Sequence, residues 1–187
     1  VINCKGNDMT EKTEDLYTLT HDAHHAAEAT TFGARYASGT LSRQEYALWL
    51  GFQLQAHDLI DAVVPGFMGR RVALAADLLV VRAPLFALSA GYELAAEIMR
   101  TPPLSQLAAA YIFYGAHLQG GAVIKPKLIA AGLPTTHLDF GDSANDARKW
   151  LKELRTHTEL APAANAVFGH TIDAMNEISQ IYNDSNP

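Results

Sequence analysis

A single cysteine, Cys4, stands among 187 residues, so no disulfide can form within the chain and a disulfide-stapled secreted scaffold is excluded. A reducing, cytoplasmic setting is the expectation. Cationic charge is also scarce: 14 Lys and Arg stand against 20 Asp and Glu, a formal net charge of −6, which argues against a phosphate-backbone partner and hence against nucleic acid. No uninterrupted apolar run approaches the roughly 20 residues that cross a bilayer, and the N-terminus lacks the charged-then-apolar order of a signal peptide, so no membrane span is predicted. Internal repeats, low-complexity tracts and alternating strand patterns are missing as well. What the chain does have is 49% apolar residues, ample for one sizeable core in a domain of this length. Val1 to Asp8 is polar, aperiodic and precedes Met9, and residues 1–12 are expected to be a disordered tail outside the fold, with residues 13–187 forming one helical domain.

The periodicity is helical throughout. Leu16, Leu19, Ala23, Ala26, Ala27 and Thr30 recur at three- and four-residue steps, predicting one helix from Thr13 to about Arg35, with Gly39 closing the segment. Ser42 and Glu45 are the two halves of a capping box, and a long helix follows to about Val64, before Pro65-Gly66. Arg70 to Val81 reads as a third helix, broken by Pro84. A loop through Ser89-Ala90-Gly91 leads into a short helical piece from Glu93 to Met99. Leu104 to Leu118 is helical again and runs on through Gly120-Gly121 to Ala131. That places a glycine pair inside a helix, at a cost of roughly 1 kcal/mol per glycine relative to alanine. Thr135 to Asp142 is a loop, Ser143 an N-cap, and two further helices run to about Arg155 and from about Pro162 to Tyr182. The result is an all-α, single-domain bundle of six to eight helices.

Two segments carry the candidate chemistry. His21, His24 and His25 lie in one short stretch with Glu28 four residues after His24. Such a set on one helix either forms an exposed polar face or aims an imidazole at a metal, heme iron included. Further on, small residues interrupt the apolar run Tyr111-Ile112-Phe113-Tyr114-Gly115-Ala116-His117-Leu118-Gln119-Gly120-Gly121. Missing side chains there permit either close helix packing or the approach of backbone to a flat ligand.

Taken together, the two segments resemble those of the heme oxygenases. Thr20-His21-Asp22-Ala23-His24-His25-Ala26-Ala27-Glu28 is similar to the proximal motif of that family, and Phe32, Gly39, Ser42 and Tyr46 continue the match without a gap. Tyr111, Tyr114, Leu118, Gly120 and Gly121 fit the glycine-rich distal motif, and the resemblance spans about Asp15 to Tyr182. It implies heme b as both cofactor and substrate, cleaved with dioxygen to biliverdin, carbon monoxide and iron, with electrons from an external donor of ferredoxin or reductase type. Carried over by position, His24 is the expected iron ligand, Glu28 its polar neighbour, Tyr111, Tyr114 and Arg155 cofactor-binding residues, and Phe168 a packing surface for the macrocycle. The family's basic residues before the proximal histidine are not matched, since Tyr17 and His21 occupy those places; Lys149 and Lys152 are alternative propionate anchors.

The distal segment departs from the family pattern where it matters chemically. His117 stands where the family has an aspartate, Ala116 replaces the motif's first glycine, and His57 replaces a supporting tyrosine. With Gly120 and Gly121, these two histidines are the candidate catalytic residues, because imidazole relays protons near neutral pH. Alternatively, His117 binds iron as a sixth ligand and the protein carries or senses heme without cleaving it. A third reading puts two non-heme metal ions on the same scaffold, using Glu28, His57, Asp58, His117, His170 and Asp173.

Overall fold

The computed structural model describes residues 14–83 and 87–185. The expected tail, Cys4 and Pro84 lie outside the described residues. Nine α-helical segments follow one another with no strand among the described residues: α1 (Leu16–Glu28), α2 (Thr31–Ser38), α3 (Arg43–Ile60), α4 (Arg71–Val81), α5 (Ser89–Ile98), α6 (Leu104–Gly115), α7 (Gly121–Ala130), α8 (Ala144–Leu154) and α9 (Ala161–Ser185). A π turn, Ala116–Gly120, joins α6 to α7 into one rod, leaving eight separate helical rods, in keeping with the all-α bundle expected from the sequence.

The helices start and stop where local chemistry directs. At α3 the Ser42 hydroxyl accepts from the Glu45 amide at 3.2 Å and the Glu45 carboxylate accepts from the Ser42 amide at 2.8 Å, so the capping box is formed. Gly39 ends α2 in the left-handed region at φ 74°, where a side chain would be strained.

Three expectations are corrected. The helix expected from Thr13 to about Arg35 is broken at Ala29-Thr30, because the Thr30 hydroxyl accepts from the Gly33 amide at 2.9 Å and starts a new helix. A Cβ at Gly33 would come within 2.4 Å of the Ala27 carbonyl oxygen, so the corner closes on a bare glycine. The α5 helix begins at Ser89, not Glu93: the Glu177 carboxylate of α9 accepts from the Ser89 and Ala90 amides at 2.9 and 3.1 Å, capping it from a distance. Ser143 makes no capping hydrogen bond and sits within a 3-10 turn leading into α8. The rod from Leu104 to Ala130 has the length and apolar composition of a bilayer-crossing helix, and half of its most apolar window is buried, as in a core helix.

Helix α9 is the hub: α1, α2, α3, α5 and α6 all pack on it. The core between them is built from fully buried Leu16, Phe32, Tyr46, Leu50, Ile60, Ile98, Tyr114, Val167 and Ile178. Helix α1 packs chiefly on α9, α2 and the turn before α9, not on the α6 rod. The space between α1 and the rod is a cavity.

Candidate functional site

The cavity encloses about 510 Å³. One wall is α1, contributing Tyr17, Thr20, His24 and Glu28; the facing wall is the rod, contributing Tyr111, Gly115, Ala116, His117 and Gly120. Phe168 of α9 closes one side and meets the His24 ring edge-on at 5.9 Å between centroids. At another, Arg148, Lys152 and Arg155 bring three cations to the lining, a local concentration of positive charge on an acidic chain. Arg155 is held in place: its Nε donates to Asp15 Oδ2 at 2.5 Å, and its guanidinium lies over the Tyr17 ring at 4.5 Å.

The rod's wall is shaped by what its side chains omit. A Cβ built on Gly115 would meet nothing within 4 Å, and one on Gly120 would meet only Ile124 Cδ1 at 3.9 Å. Protein packing therefore does not demand glycine at either position, although both cost helix stability. Both border the cavity. Gly121 is different: it is buried, and its Cβ would press on Leu138 Cδ2 at 3.3 Å, so this glycine serves helix packing and leaves the cavity wall to Gly120.

Of the residues singled out in the sequence, His24, Glu28, Tyr111, His117, Gly120, Arg155 and Phe168 are brought to one cavity. Lysine 152 joins them, while Lys149 points to Asp146 Oδ1 at 3.2 Å on the outer face of α8. Three site residues fall outside the lining. Tyr114 is fully buried and donates its hydroxyl proton to Asp61 Oδ1 at 2.5 Å. His57 is likewise behind the wall, and Gly121 faces Leu138. Nor do the six side chains of the two-metal reading converge: the one grouping of three metal-capable side chains among the described residues is His24, His25 and Glu28.

Behind the wall lies a histidine nest. His117 is 2% exposed and His57 and His137 are fully buried. The His57 and His117 rings are nearly parallel, 10° apart at 5.1 Å, and His137 meets His117 edge-on at 5.3 Å. One nitrogen of each ring is anchored: His57 Nδ1 donates to Asp61 Oδ1 at 2.7 Å, His137 Nδ1 to Asp77 Oδ2 at 2.6 Å, and His117 Nε2 to Gln53 Oε1 at 2.5 Å. The other nitrogen of each ring, together with Gln53 Nε2, is buried with no hydrogen-bond partner. Leaving such groups dry is costly, and polar pockets of this kind hold water.

The charge states follow from these partners. Burial pushes the His117 pKa well below its ordinary value, and the nearby His57, His137 and Arg70 push in the same direction. His57 is also lowered by burial, only partly offset by Asp61. Burial works against the ionised form of Asp61, but the His57 and Tyr114 hydrogen bonds and the Arg71 amide outweigh it and lower its pKa. Asp77 is lowered in the same way, burial being outweighed by the His137 and Thr136 contacts. The nest thus holds His57 and His117 neutral, beside the ionised carboxylates of Asp61 and Asp77. His137 gave no signal in the sequence, since its partner Asp77 is sixty positions away.

No protein-family model and no curated protein matches the sequence. Solved structures do. Heme oxygenase-1 of the cyanobacterium Synechocystis sp. PCC 6803, in complex with heme, superposes with a TM-score of 0.79 at 16% identity, covering 91% of this chain and 93% of its own. Heme oxygenase-2 of the same organism, in complex with heme and NO, gives 0.77 at 18%, over 91% and 86%. The heme oxygenase of Leptospira interrogans gives 0.73 at 19%, over 87% and 97%. The chain has the heme oxygenase fold, over nearly the full length of each relative.

Proposed function

We propose that this chain binds heme in the cavity between α1 and the rod, with His24 as the axial ligand, and degrades it as a monooxygenase. The observation that carries the reading is the pair of glycines at 115 and 120, which face the cavity and which no neighbouring protein atom requires. A flat ligand lying against the rod supplies the reason: it needs the backbone close and any Cβ absent. The remaining lining suits the same ligand. Its walls are largely apolar and aromatic, His24 stands on the wall opposite the glycines, and Arg148, Lys152 and Arg155 match the two carboxylates of a heme.

Bound heme supplies the redox chemistry and is itself the substrate, giving biliverdin, carbon monoxide and iron with electrons from a ferredoxin- or reductase-type donor. The chain's residues orient and protonate. Glu28 Oε2 lies 3.7 Å from His24 Nδ1, beyond hydrogen-bond reach, and its negative charge favours the proton on that nitrogen, which would leave Nε2 as the ligating lone pair. Phe168 braces the same ring. On the far side His117, neutral and bordering the cavity, takes the position of a proton relay. Its ring stacks on His57 without a hydrogen bond between them, so a proton passing to His57 and its partly exposed partner Asp61 would need a water at the unpartnered His117 Nδ1 and His57 Nε2.

A titration of the full chain with hemin, followed by addition of a reductant in air, tests this. A Soret complex that His24→Ala loses, and that gives way to a broad red band on reduction, is expected. A Soret complex that persists under turnover conditions would mean that the protein carries heme without cleaving it, the reading favoured if His117 ligates iron. No Soret complex at all would overturn the proposal.

A further inference from the structure

Helix α1 carries more ligand groups beside His24 than one axial bond uses. His25 Nδ1 lies 3.3 Å from Glu28 Oε2, and His24 Nδ1 lies 3.7 Å from the same oxygen. Ligand atoms from these three side chains fall within 4.8 Å of one another. One turn earlier, His21 Nε2 sits 3.0 Å from His25 Nε2. With a cation between His25 and Glu28, His25 would carry its proton on Nε2 and donate it to His21 Nε2, leaving the Nδ1 lone pair for the ion. Metal-bound histidines are typically held in this way, with the second ring nitrogen donating to a fixed acceptor. Two imidazoles and a carboxylate, on a helix that fixes their spacing, suit a borderline-soft divalent ion. Ligand atoms on a tetrahedral zinc stand about 3.4 Å apart, close to the separations already present. The side chains are about half exposed, so an ion reaches them from solvent.

We propose that His24, His25 and Glu28 form a site for a divalent transition metal of the zinc type, with His21 as a positioning residue, and that this ion and heme exclude each other at His24. The exclusion rests on the heme reading above and follows from the ring's chemistry. A neutral imidazole has one lone pair in its plane. When Nε2 gives it to heme iron, Nδ1 carries the proton and cannot bind a second metal; when Nδ1 binds zinc, Nε2 is protonated and lost to iron. Linkage then makes each ligand weaken the other by the same factor.

The test is calorimetric titration of the heme-free full chain with Zn²⁺, alongside hemin titrations with and without Zn²⁺. One ion per chain is expected, with His25→Ala weakening Zn²⁺ binding at least about tenfold while leaving its own Soret complex intact. Zn²⁺ should raise the hemin concentration needed for half-saturation of the unsubstituted chain, and should not do so in His25→Ala. His21→Ala, restored by His21→Gln through its acceptor oxygen, marks the positioning role. Absence of one-to-one Zn²⁺ uptake, or uptake indifferent to His25→Ala, overturns the site. If Zn²⁺ binds as described and hemin gives no Soret complex, the metal site stands and the heme reading falls.

Discussion

His117 and His57 are neutral in the folded protein because burial opposes their charge, and that has a consequence for acid stability. The unfolded chain takes up a proton on each histidine below a pH of about 6.5, whereas the folded chain does not until lower pH. The unfolded state therefore binds more protons in that window, and stability falls as the pH falls, by about 1.4 kcal/mol per pH unit for each histidine held neutral. Asp61 and Asp77 act in a lower window: their depressed pKa values contribute stability that is present above about pH 4 and lost as the pH falls through the lowered values. Urea unfolding between pH 7.5 and 5 is expected to show the histidine slope. A flat profile there would mean that the nest accepts protons while folded. Single residues were legible in the sequence where their meaning was local. His24 and Glu28 stand one helical turn apart and reach one cavity together. His137 was not legible, because only folding brings it to Asp77 and to His117, and Tyr114, expected at the ligand from the family resemblance, is buried and donates to Asp61.

Among the elements, the rod from α6 to α7 separates two roles for glycine that the sequence presents side by side. Gly120 borders open space and Gly121 presses on Leu138. Gly120→Ala, at φ −63° and ψ −41°, suits an alanine and is expected to stabilise the heme-free protein by about 0.5–1 kcal/mol while weakening hemin binding. Gly120→Leu should retain the heme-free helical signal and lose the Soret complex. Unfolding midpoints and hemin titrations of both variants check this, and hemin affinity unchanged in Gly120→Leu would remove the argument from the glycines. Element boundaries were legible where a capping signal and a glycine coincided, as at Ser42 with Glu45 and at Gly39. The break at Thr30 was hidden because helical spacing runs through it, and the Thr30 hydroxyl that restarts the chain looks like any other position of the stripe. The start of α5 was hidden for a different reason: its cap is Glu177, supplied by the last helix.

At the scale of the molecule, the cavity divides what α9 unites. Helix α1 and the rod each pack on α9 and line the cavity from opposite sides, with Tyr111 of the rod reaching Thr20 of α1. The N-terminal end of α1 is tied by Asp15 to Arg155 and by the Leu16 amide to the Arg155 carbonyl at 3.0 Å. A ligand that touches His24 on one side and Gly115, Ala116 and Gly120 on the other extends the contact between α1 and the rod beyond Tyr111 and Thr20. Binding to the folded state alone stabilises it by about 2.7 kcal/mol at a free ligand concentration a hundred times the Kd. The gain is expected to be distributed unevenly. Amide hydrogen exchange should slow most across α1 and the segment from Tyr111 to Gly121, and little in α4 and α5, which do not border the cavity. His24→Ala should retain part of the protection along the rod, from macrocycle contact, and lose most of it along α1, because the axial bond is what couples that helix to the ligand. Protection confined to α8, where Arg148, Lys152 and Arg155 lie, would instead mean that hemin is captured by its carboxylates at the mouth without entering between the two walls.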